Sequence, residues 1–136
     1  MKKAKGRISG EKKIRGKMQL PKCDLCRQMV QLKDGVLSIC FNEILEVEHI
    51  RKRWEEDHPD LILHVRDFLT YPDQADWKWQ HSKCDVDSSY QIEAARLDNI
   101  EKVLHWTFHL MGKNWFQFTD WRKAILRLYP GIYGDL

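Results

Sequence analysis

The sequence predicts an α+β fold: a small β-hairpin module with an inserted helix, followed by a C-terminal helical pair packed on it. Three observations predict it. Two cysteine/histidine pairs share one spacing, Cys23-x2-Cys26 and His81-x2-Cys84. The apolar pattern switches from a strand period to a helical period at residue 42, and two further amphipathic stretches follow residue 98. At 136 residues, with 43% hydrophobic composition and six tryptophans, the chain can build one domain with a core and a small appendage.

The appendage comes first. Residues 1–18 hold eight Lys/Arg and one acid, Glu11, for a net +7, whereas the remainder has 15 basic and 19 acidic residues, for −4. The segment has almost no apolar periodicity, so it is expected to be a disordered basic arm (1–18) ahead of the module (19–97) and the helical pair (98–136). Order is expected to begin near Leu20-Pro21. Such arms commonly meet polyanions, and Lys12, Lys13, Arg15 and Lys17 are the candidate nucleic-acid contacts. A solvated tail would produce the same composition.

MVQL-KDG-VLSICF reads as the hairpin: two short apolar strands around an Asp34-Gly35 turn, with glycine supplying a positive φ. Leu37, Ile39 and Phe41 share one face of its second strand. From Asn42, an expected N-cap, NEILEVEHIRKRWEED takes helical spacing with Ile44, Leu45, Val47, Ile50 and Trp54 on its apolar side, and His58-Pro59 ends it. LILHVRDFL is readable as strand or helix. WKWQ, Trp77 to Gln80, is a strand leading to His81. YQIEAAR is a strand or a helix lead-in.

Asp98-x-x-Glu101 resembles a capping box, opening a helix with Ile100, Val103, Leu104, Thr107 and Met111 inward and Gly112 at its end. The last helix, capped by Thr119 or Asp120, carries Trp121, Ala124, Ile125 and Leu128, and Pro130 stops it.

Cys23, Cys26, His81 and Cys84 form a four-ligand set. Zn2+ takes thiolate and imidazole donors in a tetrahedron, and a two-residue gap lets one turn supply two corners. The 54-residue gap between pairs is no obstacle. Tripling a loop costs about 1 kcal/mol, against apparent binding of roughly 10–16 kcal/mol for a structural zinc. The module is thus expected to be zinc-stapled, with residues 42–58 a helical insertion. Cys40 is left over, expected as a small packed side chain rather than a ligand.

These residues carry a resemblance. Cys23-x2-Cys26 and Trp79-x-His81-x2-Cys84 resemble the first zinc site of LIM domains and related treble-clef or ribbon modules, and small zinc proteins of bacteria and their phages. The likeness covers under a tenth of the chain and implies a binding protein, with nucleic acid or another protein as partner. A LIM domain would supply a second cysteine/histidine quartet downstream, and none follows here.

Enzyme chemistry has weaker support. Four protein ligands leave no open metal position for water, so no catalytic residue is assigned. LEVEHI, with Glu48-His49, is similar to a segment of HNH nucleases, in which His49 would activate water, but the second CxxC of that family is HxxC here. Glu101, His105 and His109 share a helix stripe without the glutamate a zincin needs after its first histidine. No nucleotide-binding glycine motif occurs. The chain shows neither an apolar run of ~20 residues nor a signal-type apolar segment after its basic start, so the expected location is the cytoplasm, where paired cysteines favour metal over disulfide. The expected protein is therefore a non-enzymatic, zinc-stabilised binder of nucleic acid. The alternative is a protein–protein adaptor or inhibitor. Trp115 and Phe116 are candidate base-stacking aromatics, with core packing as their ordinary use.

Overall fold

A computed structural model of the chain describes residues 17–59 and 70–132. Lys12, Lys13, Arg15 and the ambiguous LILHVRDFL lie outside the described residues. Packing already involves residues ahead of Leu20-Pro21: Met18 packs against the core, and the Gln19 N–H donates to the Leu128 carbonyl at 2.7 Å.

Three antiparallel strands form one sheet, β1 (Gly35–Ile39), β2 (Lys78–His81) and β3 (Tyr90–Glu93), with β1 in the centre. Centrality explains why all five residues of β1 are buried. Leu37 faces Trp79 on one side and Ile92 on the other, which stacks three apolar side chains across the sheet. Ser38, on the opposite face, is also buried, and its Oγ donates to Gln80 Oε1 at 3.3 Å. Phe41 does not extend the strand as expected but begins the next helix.

The expected hairpin is corrected. Residues 29–32 do not pair with β1; instead Met29 bridges Lys22, the Cys23 N–H donates to the Gln28 carbonyl, and the Val30 N–H donates to the Pro21 carbonyl. The turn therefore closes one step earlier, around the CxxC itself, with Arg27 in the left-handed region at φ 67°. Asp34-Gly35 still turns the chain, since both N–H groups donate to the Gln31 carbonyl. No described glycine has positive φ, however. Gly35 serves close approach: a Cβ there would lie 2.8 Å from the Gln31 carbonyl oxygen and press into Val30.

Helix α1 (Phe41–Asp57) starts one residue before Asn42, with Cys40 at the extended N-cap position and no side-chain cap. It lies on the body by one edge. Ile44 is buried, Val47 and Trp54 are half-buried, and Leu45 and Ile50 stay exposed. Arg51 anchors it, stacked over Phe118 at 4.8 Å and donating to the Gln117 carbonyl.

Helix α2 (Ile100–Met111) is capped by Asn99, whose side chain accepts from the Lys102 N–H at 2.9 Å. Asp98, the expected cap, pairs with Lys102 Nζ at 2.8 Å instead. The inward face also differs from expectation: Val103 and Leu110 are buried and Trp106 and Thr107 half-buried, whereas Ile100, Leu104 and Met111 point outward. Helix α3 (Trp121–Leu128), capped by Asp120, buries the expected set of Trp121, Ala124, Ile125 and Leu128. One hydrophobic cluster joins the sheet to α2 and α3 through Trp77, Trp79, Leu97, Leu110, Trp121 and Tyr129. The Trp79 indole N–H donates to the Ala124 carbonyl, and the Tyr129 hydroxyl to the Leu97 carbonyl.

Candidate metal centre

The Cys23–Cys26 turn supplies two donors and the end of β2 with its following short 3-10 turn (Ser82–Cys84) supplies two more. Local hydrogen bonds build both corners. The Cys26 N–H points at Cys23 Sγ, 3.5 Å away. The Ser82 N–H donates to the Asp34 carbonyl at 2.7 Å, tying the second ligand turn to the turn before β1.

The four donor atoms lie within 4.8 Å of one another. Zinc–sulfur bonds near 2.3 Å and zinc–nitrogen bonds near 2.0 Å imply tetrahedral edges of roughly 3.5–3.8 Å. Cys26 Sγ and Cys84 Sγ stand 3.3 and 3.8 Å from His81 Nδ1, so the cage is already close to that size. The imidazole is oriented for the task. Its Nε2 lies 3.0 Å from the Met29 carbonyl, which can only accept, so the proton belongs on Nε2 and the Nδ1 lone pair faces the sulfurs.

Thiol electrostatics point the same way. Burial opposes ionisation of Cys23, but backbone N–H groups of Cys26, His81 and Leu25 outweigh it and lower its pKa to about 6. Burial, then the neighbouring Cys23 and Cys26, pushes Cys84 up to about 11. Three thiolates so close repel one another, and a bound cation is what lets all three ionise together. The group is arranged to bind a metal ion, and a Cys3His set fits a closed, four-coordinate site.

Asp24 and Arg127 hold the first turn in place. Asp24, between the two cysteines, accepts the Trp79 N–H at 2.9 Å, and its carboxylate is gripped by both terminal nitrogens of Arg127 at 3.0 Å. Arg127 also donates to the Lys22 carbonyl. The turn is thus clamped to β2 and α3 together. Neither residue stood out in the sequence. The available signal was an acid inside the CxxC and a single arginine late in an otherwise apolar-striped helix.

Cys40 stays outside the metal group, half-buried just beyond the far end of β1. His49 is exposed within α1, and Glu101, His105 and His109 are exposed along α2 without joining any metal group among the described residues. Trp115 and Phe116 are not a free stacking platform: Trp115 meets Tyr90 at 5.3 Å and Phe41 at 5.4 Å, and Phe116 meets Trp121 at 6.2 Å. Lys17 is described and exposed. Among the described residues no helix is long and apolar enough to cross a membrane.

No family model, curated protein or solved structure matches this chain. The likeness to LIM and treble-clef modules therefore rests on the four ligand positions.

Proposed function

We propose that this chain is a non-enzymatic binding protein whose Cys3His site holds a structural Zn2+ and whose basic N-terminal segment engages nucleic acid. The observation that carries the binding half is the charge division, +7 in residues 1–18 against −4 in the rest. Such a segment gains affinity by releasing the counterions condensed on phosphates. The zinc half is supported by the donor set and its spacing. Four protein donors would fill the coordination sphere of a bound ion, which supports a role in shape rather than in activating water.

The test is a salt titration of nucleic-acid binding by the full chain and by a chain lacking residues 1–16, a deletion that spares the packed Met18. The full chain should show a slope of log K against log salt of about −4 to −5 on duplex DNA if about five cations engage phosphate. The deletion should flatten it while zinc content stays at one per chain. Equal, weak, salt-insensitive binding by both chains would reject the reading.

A second reading, a protein-binding adaptor, is favoured by one observation. Ile100, Leu104, Phe108 and Met111 form an exposed apolar stripe along α2, and the last three are more than half exposed. Binding that survives high salt and is lost in Leu104→Asp would favour it.

A further inference from the structure

Exposed positive charge also lies beside the Cys3His group. Lys22 precedes Cys23, Arg27 follows Cys26, and Lys83 sits between His81 and Cys84. Lys33 lies in the turn whose Asp34 carbonyl accepts the Ser82 N–H, against the second ligand turn. All four side chains are exposed, and among the described residues none has an acidic partner. Lys78, Lys102, Lys123 and Arg127 are paired with Glu43, Asp98, Asp76 and Asp24, whereas the exposed Lys52 and Arg53 on α1 resemble the four in lacking an ion pair among the described residues.

The same loops leave apolar side chains uncovered. Leu25, at the tip of the CxxC turn, is 62% exposed, Val86, just past Cys84, is 86% exposed, and Met29 is half exposed. A bound ion would fix these loops relative to one another, because each carries or adjoins a ligand. The result is an apolar tip whose loops carry four exposed cations, interspersed with the acids Asp34, Asp85 and Asp87.

The described residues that follow the basic segment lead to this end of the molecule. Residues 17–22 run along the end of α3, from the Gln19–Leu128 bond to the Lys22–Arg127 bond, and the next residue is Cys23. Sixteen extended residues reach roughly 50 Å from that root, enough to follow a phosphate backbone well beyond the body.

Resting on the nucleic-acid reading above, we propose that the metal-bearing end is the face of the folded body that docks on nucleic acid, with Lys22, Arg27, Lys33 and Lys83 against phosphates and Leu25 and Val86 against the sugar and base surface between them. The metal then has a second consequence: it presents these cations in fixed positions, so the body adds register to the arm's non-specific attraction. An anionic bilayer is the competing polyanion. The composition of the arm argues against it, since residues 1–16 hold only four apolar side chains, Met1, Ala4, Ile8 and Ile14, against seven Lys/Arg, too little apolar surface for stable insertion.

The experiment uses the full zinc-loaded chain and fluorescence anisotropy with labelled duplex DNA and single-stranded RNA. Lys33→Glu/Lys83→Glu is compared with Lys52→Glu/Arg53→Glu, an equal charge change on exposed α1 positions, after zinc content has been matched. The metal-end pair should raise Kd at least tenfold and flatten the salt slope by about 2 on duplex DNA; the α1 pair should change Kd less than threefold. If the metal-end charge reversal loses zinc, Lys33→Gln/Lys83→Gln replaces it, with the same flattening of about 2 expected. Parent-like binding by the metal-end variant, or equal weakening by the α1 variant, would overturn the docking face and leave the arm as the whole interface. A parent chain that binds neither nucleic acid would sink this face and the functional reading together, and binding to phosphatidylserine vesicles instead would identify a bilayer as the polyanion.

Discussion

The metal-bearing turns and the tryptophan-rich core solve the same problem by opposite means. In the stretch from Lys22 to Asp34 only Cys23 and Val30 are fully buried, and the chain relies on point contacts: Cys23 and Cys26 in the candidate metal group, the Asp24–Arg127 clamp and a handful of backbone hydrogen bonds. Between the sheet and the helices the work falls to area, with Trp79, Leu37, Ile92, Leu110, Leu128 and Tyr129 all essentially inaccessible. Point contacts are specific and fail all at once when one member goes. Area is distributed and fails by degrees.

The largest expected effect lies on the metal side. Cys26→Ser or His81→Ala should abolish metal retention and unfold the turns around the site, because apparent zinc binding of roughly 10–16 kcal/mol is also folding energy. Elemental analysis and near-ultraviolet circular dichroism read both losses, and a strong chelator should reproduce them in the parent. Acid should do so too, since protons compete for three thiolates and an imidazole. Cys40→Ser should leave metal content unchanged. Full metal retention in the ligand variants would break the contrast.

Next comes the core. Trp79→Ala should cost about 3–5 kcal/mol, because its ring is wholly buried and its N–H bonded to Ala124. Trp106→Ala should cost distinctly less, as that ring is only half-buried on α2. Denaturant midpoints of metal-loaded protein measure the difference, and equal costs would contradict the turned face of α2.

The smallest change sits where the two regions meet. Gly35→Ala should cost about 1–3 kcal/mol by overpacking, since the added Cβ would press into the buried Val30 side chain and meet the Gln31 backbone oxygen, which cannot rotate away. Because Asp34 and Gly35 also brace the second ligand turn, weaker zinc retention should accompany the lower midpoint.

The ligand set was legible because it depends on residue identity and a local step, both printed in the sequence. The strand entering it, the length of α1 and the buried set of α3 were legible through periodicity. Two features were not. MVQL followed by DG has the composition of a hairpin, yet Val30 is recruited to the ligand turn and β1 takes its partners from residues 78 and 90 onward, a choice made by long-range packing. On α2 the apolar residues cover too wide an arc to name the buried half. That choice follows from where Trp121 sits, its indole N–H reaching Thr107 Oγ1 at 2.9 Å.

The position of β1 in the sheet bears on how the chain survives its own synthesis. Among the described residues Gly35–Ile39 pairs with two segments that are both translated later, beginning at Lys78. At ~5–20 residues per second the 38 residues between Ile39 and Lys78 take about 2–8 seconds to appear. For that interval an apolar segment with two open edges is exposed to any neighbouring nascent chain. Its brevity limits the hazard, as do Lys33 and Asp34 before it and the immediate turn into α1 after it: five residues template few backbone bonds, and flanking charge discourages lateral growth.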